Sequence, residues 1–149
     1  MLMALIAIGI AGLIVRAVSS GSDELVLSGL LPISQDVVTR VTIRSSDGES
    51  EARLVRIGDV WTINNQQAFP PKLAQFWSLV SDIDGARLIA TNEDNHRRMG
   101  VAEDQGTVVS FYLDEFIQEQ FIVGKWSSDV RLCYLRRPGK TQVHGIECP

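Results

Sequence analysis

Apolar and polar residues alternate along most of the chain, and this period of two predicts β-strands with one buried face. In the first such segment Val41 and Ile43 share one face, and Arg40 lies on the other. Tight turns rich in glycine, aspartate and proline separate neighbouring segments, which predicts antiparallel hairpins. The alternating segments are 36–44, 51–57, 60–63, 87–90, 107–113, 116–123, 130–136 and 141–146.

One stretch after the third strand has a helical period instead. Pro70 marks its start, because proline is well placed in the first turn of a helix, and Gly85 marks its end. Its apolar stripe at i, i+3, i+4 and i+7 consists of Leu73, Phe76, Trp77 and Val80. Phe76 and Trp77 would suit ligand stacking, but aromatic residues at this spacing are typical of core, so we expect the stripe to pack on the sheet above Trp61.

A second, shorter helix is predicted after the strand at 87–90. Thr91 is suited to cap its start, and Gly100 to end it. Arg97 and Arg98 fall in its last turn, where cations complement the helix dipole. The same two arginines are the candidate site for a phosphate group or an acidic partner.

Together these elements predict an α+β domain over residues 36–147. The expected architecture is β-rich, with antiparallel meanders and hairpins of about seven to eight strands. One main amphipathic helix and one short helix pack with these strands. The region is long enough to bury a single core.

The first 18 residues are apolar except for Arg16. A run of this length is at the short end of the roughly 17–25 residues that a transmembrane helix needs. It predicts a membrane anchor over residues 1–18, followed by a linker over 19–35. The alternative is a signal peptide, since Ala17-Val18-Ser19 is a small-x-small cleavage site. The residues expected to hold the anchor in the bilayer and at its interface are Leu2, Leu5, Ile8, Leu13 and Arg16.

The composition excludes nucleic acid and indicates no catalytic chemistry. The net charge is −4 and the pI is about 5.1, so the basic footprint of nucleic-acid binding is missing. The common nucleophile, phosphate-loop, dinucleotide and zinc-protease motifs are also missing. His96 and His144 are isolated in the sequence. We therefore expect no enzyme activity, no cofactor and no metal site.

The two cysteines, Cys133 and Cys148, lack the CxxC spacing of zinc and redox sites. In a hairpin centred on Gly139, Cys133 faces a residue near Gly145, and Cys148 lies about three positions further on. At about 3.3 Å per residue, this separation exceeds the roughly 7 Å that a disulfide can span. The sequence therefore predicts two free thiols, unless the chain folds back after Ile146.

Several short motifs follow one another in an order that resembles a known family. They are VTRVTIRSSDGE, VWTI, PPKLAQFWSLVSDIDGARLIA, RRMGV, VSFYL, FIVGK and CYLRRPGKTQVHGIE. This order resembles bacterial proteins that carry the domain of unknown function numbered 4340, over residues 37–147. The family pattern has a Tyr-Gly-Leu-like turn, here Met99-Gly100-Val101, an Ile-Gly-containing hairpin, here marked by Val123-Gly124, and a Tyr-Val-Arg strand, here Tyr134-Leu135-Arg136.

The resemblance implies a location and a setting. It implies a single span in the bacterial inner membrane, with the domain in the periplasm or at the cell exterior. Arg16 taken alone would favour the opposite orientation, because cations flank the cytoplasmic end of a span. Some relatives are linked to ABC-type transport systems and to gliding motility. No catalytic residues carry over.

Three functions are compatible with these observations. The first is a membrane-tethered, non-enzymatic interaction domain, with the lipid bilayer bound through residues 1–18 and an envelope or transporter protein as partner. Trp126, predicted to lie in a polar loop without a core face, is its candidate contact. The alternative is a small-ligand-binding or enzymatic domain, with a pocket that gathers Arg97 and Arg98 with His96 or His144. The third is a structural spacer.

Overall fold

The structure, a computed structural model, describes residues 33–129 and 131–148. The anchor predicted over residues 1–18 and nearly all of the linker lie outside these ranges. Within them, no helix combines the length and the apolarity that crossing a membrane requires.

The described residues form an antiparallel sheet with two helices, which confirms the predicted α+β class. The strands are β1 (Arg40–Arg44), β2 (Glu51–Ile57), β3 (Val60–Ile63), β4 (Gln66–Gln67), β5 (Arg87–Ala90), β6 (Thr107–Leu113), β7 (Phe116–Trp126), β8 (Leu132–Arg136) and β9 (Val143–Glu147). The helices are α1 (Pro70–Ser81), continued by a 3-10 turn (Asp82–Gly85), and α2 (Asn95–Met99). The strand order is β4-β3-β2-β1-β6-β7-β8-β9-β5. In the described ranges the structure contains one strand that the sequence does not predict, the two-residue β4.

Strand β1 joins two meanders into one sheet. It pairs with β2 on one side and with β6 on the other, and β5 closes the far edge against β9. Val41 is 0% exposed, because Leu54 and Phe111 flank it in register on the same face. The alternation along β1 therefore has its expected cause, burial of one face.

Helix α1 covers this face of the sheet with the predicted stripe. Trp77 and Val80 are buried, and the ring of Trp61 lies 5.4 Å from that of Trp77. The ring of Phe76 stacks at 6.3 Å on Phe111 of β6. Aromatic pairs at such separations stabilise a core beyond the area that they bury. The interpretation of Phe76 and Trp77 as core is confirmed.

The segment around α2 packs on part of the opposite face. There Met99 and Val101 form a small second core with Ile122 and Val143. The approach depends on Gly124 of β7, since a Cβ at this position would overlap the carbonyl oxygen of Met99. A glycine inside a strand often marks such an approach of another backbone. The predicted segment 116–123 is therefore too short, because β7 continues through Gly124 to Trp126, which pairs with Cys133 of β8.

Two predicted boundaries are wrong because local side-chain and backbone hydrogen bonds decide them. Strand β1 begins at Arg40 and not at residue 36, because the amides of Val37 and Val38 donate to the Ser34 carbonyl in a turn. Val38 is consequently the buried residue of this pair. Thr91 does not cap α2, where the amide of Asp94 instead donates to the side chain of Asn92.

Arg136 of β8 ties the segment after α2 to the last hairpin from inside the protein. Its side chain is 4% exposed. Nε donates to the Val101 carbonyl and Nη1 to the Lys140 carbonyl, each at 2.8 Å. Nη2 donates to Glu103 at 2.9 Å, and that carboxylate still faces solvent. All three guanidinium nitrogens are thus bonded, which is the condition for burying a charge.

Candidate functional site

A disulfide joins Cys133 to Cys148 and shows that the prediction of two free thiols is wrong. Strands β8 and β9 pair one residue away from the expected register, so Cys133 faces Ile146. Cys148 comes two residues after Ile146 and lies on the same face. The chain also stays paired beyond β9, with the Cys148 amide donating to the Arg131 carbonyl at 3.2 Å. This diagonal placement leaves the two Cα atoms 5.7 Å apart, within the range of a disulfide.

Trp126 lies beside this disulfide, as the last residue of β7 and not in a loop. It pairs in register with Cys133, and 50% of its surface is exposed. The chain that follows is held in place, since the Ser127 amide donates to the Leu132 carbonyl at 2.7 Å. Ser127 also donates its hydroxyl to Asp129, and this bond holds the pKa of the Asp129 carboxyl below its ordinary value. A large aromatic surface is therefore displayed from a hydrogen-bonded strand end.

Arg97 and His96 share an open concavity of about 670 Å³ beside α2. Arg97 bonds to Asp104 at 2.8 Å, although its side chain is 70% exposed. His96 Nε2 donates to the Thr141 carbonyl at 2.9 Å. The lining has no excess of positive charge to hold an anion, because four carboxylates outnumber its three cations, Arg97, Arg136 and Lys140. The carboxylates are those of Glu93, Asp94, Glu103 and Asp104.

The other two residues of the predicted pocket lie elsewhere. Arg98 does not line the concavity, and its guanidinium donates to Asn95 within α2 at 2.7 Å. His144 of β9 faces Leu135 across the strand pair, on the side of the sheet that α1 covers. The structure thus brings Arg97 and His96 together but does not gather them with Arg98 and His144.

The position of His144 leads to a predicted pH dependence. Burial, and then the positive charge of Arg137, lower the pKa of His144 below its ordinary value of 6.5. The unfolded chain therefore binds a proton more readily than the folded protein, so stability is present above about pH 6.5 and falls as the pH drops through that value. His144→Gln is expected to reduce this loss while leaving stability at about pH 8 close to wild type. Urea unfolding at a series of pH values from about 8 down to about 5 measures the slope below pH 6.5, and an unchanged slope in the variant contradicts the assignment.

The structure also groups three arginines that the sequence does not connect: Arg40, Arg44 and Arg53. They line a concavity of about 340 Å³ on the face of the sheet opposite α1, here named the arginine concavity. Alternation along β1 places Arg40 and Arg44 on one face. The position of Arg53 depends on the pairing register of β2, which places it opposite Thr42.

Comparison of the chain with protein-family models, curated proteins and solved structures finds no match. In the ranges that the structure describes, no group of three or more His, Cys, Asp or Glu residues could hold a metal ion. The candidate sites therefore rest on geometry: the surface at Trp126, the open concavity at Arg97, and the arginine concavity.

Proposed function

We propose that the chain is a membrane-tethered, non-enzymatic interaction domain of the bacterial cell envelope. In this proposal residues 1–18 hold it in the inner membrane, and the domain faces the periplasm or the cell exterior. Its partner is an envelope protein. The resemblance to the family with the domain of unknown function numbered 4340 makes ABC-type transport and gliding-motility assemblies the first candidates. The observation that carries the proposal is the half-exposed Trp126 next to the Cys133–Cys148 disulfide.

The disulfide supports the proposed compartment. Disulfides form and persist in oxidising surroundings, such as the periplasm and the cell surface, and are rare in the reducing cytosol. Cys133 is buried, so its bridge to Cys148 is a structural part of the last hairpin. This agrees with the outward orientation that the family resemblance implies.

Trp126 supports a protein partner over a small ligand. Small molecules bind in concave sites that enclose most of their surface, and Trp126 lines none of the concavities described above. Exposed tryptophans on ordered elements are instead typical of the residues that dominate protein–protein binding energy. The disulfide and the Ser127 hydrogen bond hold this strand end, which lowers the entropy lost on binding.

The test is photo-cross-linking of the full chain in intact cells, with a photoreactive residue in place of exposed Ser128. We expect a discrete adduct with one envelope protein. Trp126→Ala should reduce its yield about tenfold or more, because truncating a central interface tryptophan commonly costs 2 kcal/mol or more. Mass spectrometry of the adduct identifies the partner.

The matched control is Phe69→Ala, which removes an exposed aromatic side chain just before α1 that lines neither concavity. This variant should cross-link from position 128 as wild type does. A photoreactive residue at Gln118 reports on the opposite end of β7 and should give little adduct. The proposal fails if Trp126→Ala leaves the adduct unchanged, or if both positions capture the same proteins equally.

A further inference from the structure

The arginine concavity combines cations and neutral polar groups in one recess. Its arginines come from β1 and β2, and its neutral polar side chains from β1, β6 and β7. The neutral members are Thr42, Ser110, Tyr112 and Gln120. Gln120 donates to the buried Ser110 hydroxyl at 2.8 Å, so this wall of the recess is ordered by its own hydrogen bond.

The sheet register forces the three arginines together. Arg53 faces Thr42 across β1 and β2, while Arg40 and Arg44 lie two positions to either side of Thr42. Residues placed diagonally in this way are roughly 7–8 Å apart at their Cα atoms, within reach of long side chains. Like charges at such positions repel one another. The arrangement therefore favours an anion between them.

The carboxylates near the recess do not balance its charge. Glu51 is the one acidic residue that lines it, bonded to Arg53 at 3.0 Å, and Glu115 reaches Arg40 at 3.5 Å from a largely exposed position. Glu51 also lies opposite Arg44 in the register of β1 and β2, but among the described residues the Arg44 side chain forms no hydrogen bond or ion pair. Three arginines against one glutamate leave an excess of two positive charges in the lining, in a chain whose net charge is −4.

Arg40 is already oriented toward the recess. Its guanidinium carbon lies 4.2 Å from the centre of the Tyr112 ring, a cation–π contact, and its side chain is 25% exposed. A stacked guanidinium keeps its edge available for bonding. It therefore loses less conformational entropy when it binds an oxyanion than a free side chain would.

From this geometry we propose that the arginine concavity binds a phosphomonoester or phosphodiester group. Arginine forks match phosphate oxygens in bidentate pairs. A phosphomonoester carries a charge of roughly −2 near neutral pH and a phosphodiester about −1, so the excess of the lining can neutralise either group. The volume of about 340 Å³ suits a group the size of glycerol phosphate. This site is independent of the surface at Trp126.

Two sources could supply the phosphate, a lipid headgroup or a soluble phosphate ester. An apolar rim favours the lipid. Ile117 lines the recess and is 52% exposed, and the neighbouring Phe116 is 75% exposed. Apolar side chains next to an anion site would contact acyl chains while the arginines hold the headgroup.

The test is protection of arginines from phenylglyoxal, read residue by residue by mass spectrometry on the full chain. In uncharged detergent micelles, glycerol phosphate is compared with sodium chloride at equal ionic strength. In nanodiscs, phosphatidylcholine alone is compared with an equimolar mixture of phosphatidylcholine and phosphatidylglycerol. We expect modification of Arg44 and Arg53 to slow by about tenfold, as a charge-assisted contact would produce. The exposed Arg87 and Arg131 are internal controls and should change by less than about twofold.

The pattern of protection distinguishes the sources. Protection by glycerol phosphate assigns a soluble ester, and protection in phosphatidylglycerol nanodiscs alone assigns a lipid headgroup. The proposal is overturned if neither condition protects Arg44 and Arg53, or if Arg87 and Arg131 are protected equally.

Two double variants that each remove two positive charges provide a second test. Arg44→Gln/Arg53→Gln should abolish the protection of Arg40, whereas Arg87→Gln/Arg131→Gln should leave Arg40 protected. Neither result depends on cross-linking at Trp126, so the two proposals fail separately.

Discussion

Replacing Arg136 with methionine is expected to lower the free energy of unfolding by about 3 kcal/mol. Methionine fills much of the same space but leaves the buried carbonyl of Val101 without a donor and removes the bond to the Lys140 carbonyl. Each unsatisfied buried acceptor costs roughly 1–3 kcal/mol, and lost packing adds to this. Glu103 contributes little, because its carboxylate is 63% exposed and water solvates it after the change. Urea unfolding of the full chain in mild detergent, followed by fluorescence of the buried tryptophans, measures the difference.

The control for this prediction is Arg97→Met. Arg97 also forms an ion pair at 2.8 Å, but both partners are largely exposed. Exposed pairs contribute about 0–1 kcal/mol, so this variant should unfold close to wild type. If the two variants unfold alike, burial of Arg136 is not what holds the α2 segment to the last hairpin.

Removing the disulfide is expected to destabilise the domain by a similar amount, about 3 kcal/mol. The bridge closes a loop with a sequence separation of 15, and in the chain-entropy model a loop of about this length contributes that much through the unfolded state. Cys148→Ser should therefore unfold at a lower urea concentration than the oxidised wild type. The same unfolding measurement, made with and without a reducing agent, tests this.

The comparison with reductant separates the bridge from the side chain. Reduced wild type should unfold like Cys148→Ser, while the reductant should leave Cys148→Ser unchanged. Thiol alkylation of protein taken directly from cells shows whether the bridge forms there. A wild type that is insensitive to reductant, with both thiols readily alkylated, contradicts the disulfide and removes the main support for an oxidising compartment.

The secondary structure followed closely from the pattern, because it depends on local periodicity. In the helical stripe Trp77 and Val80 are buried as predicted and Leu73 and Phe76 are partly buried, and eight alternating segments correspond to strands. Predicted strand boundaries are wrong where contacts with residues distant in the sequence determine the local structure. The alternating pattern ends at residue 123, yet β7 continues through Gly124, where the missing side chain leaves room for the backbone of Met99. A two-residue strand such as β4 is too short for its period to be recognised.

The candidate site depends on strand register more strongly than the secondary structure does. The sequence indicated that Trp126 lacks a core face, and Trp126 is half exposed. It did not indicate the neighbouring disulfide, since an error of one residue in pairing β8 with β9 was enough to place Cys148 out of reach. A shift of one residue moves every side chain to the other face of a strand, and turn geometry sets that shift.

The sequence by itself determined the α+β class, the antiparallel pairing of neighbouring segments and the helix that covers the sheet, because alternation and helical spacing are properties of consecutive residues. Only the tertiary structure decided that β1 lies between β2 and β6, that Cys133 meets Cys148, that Arg136 is buried, and that three arginines share one recess. Each of these depends on which strands pair and in which register. Burial of apolar side chains throughout the domain selects the strand pairing and its register, so neither can be inferred from a single segment.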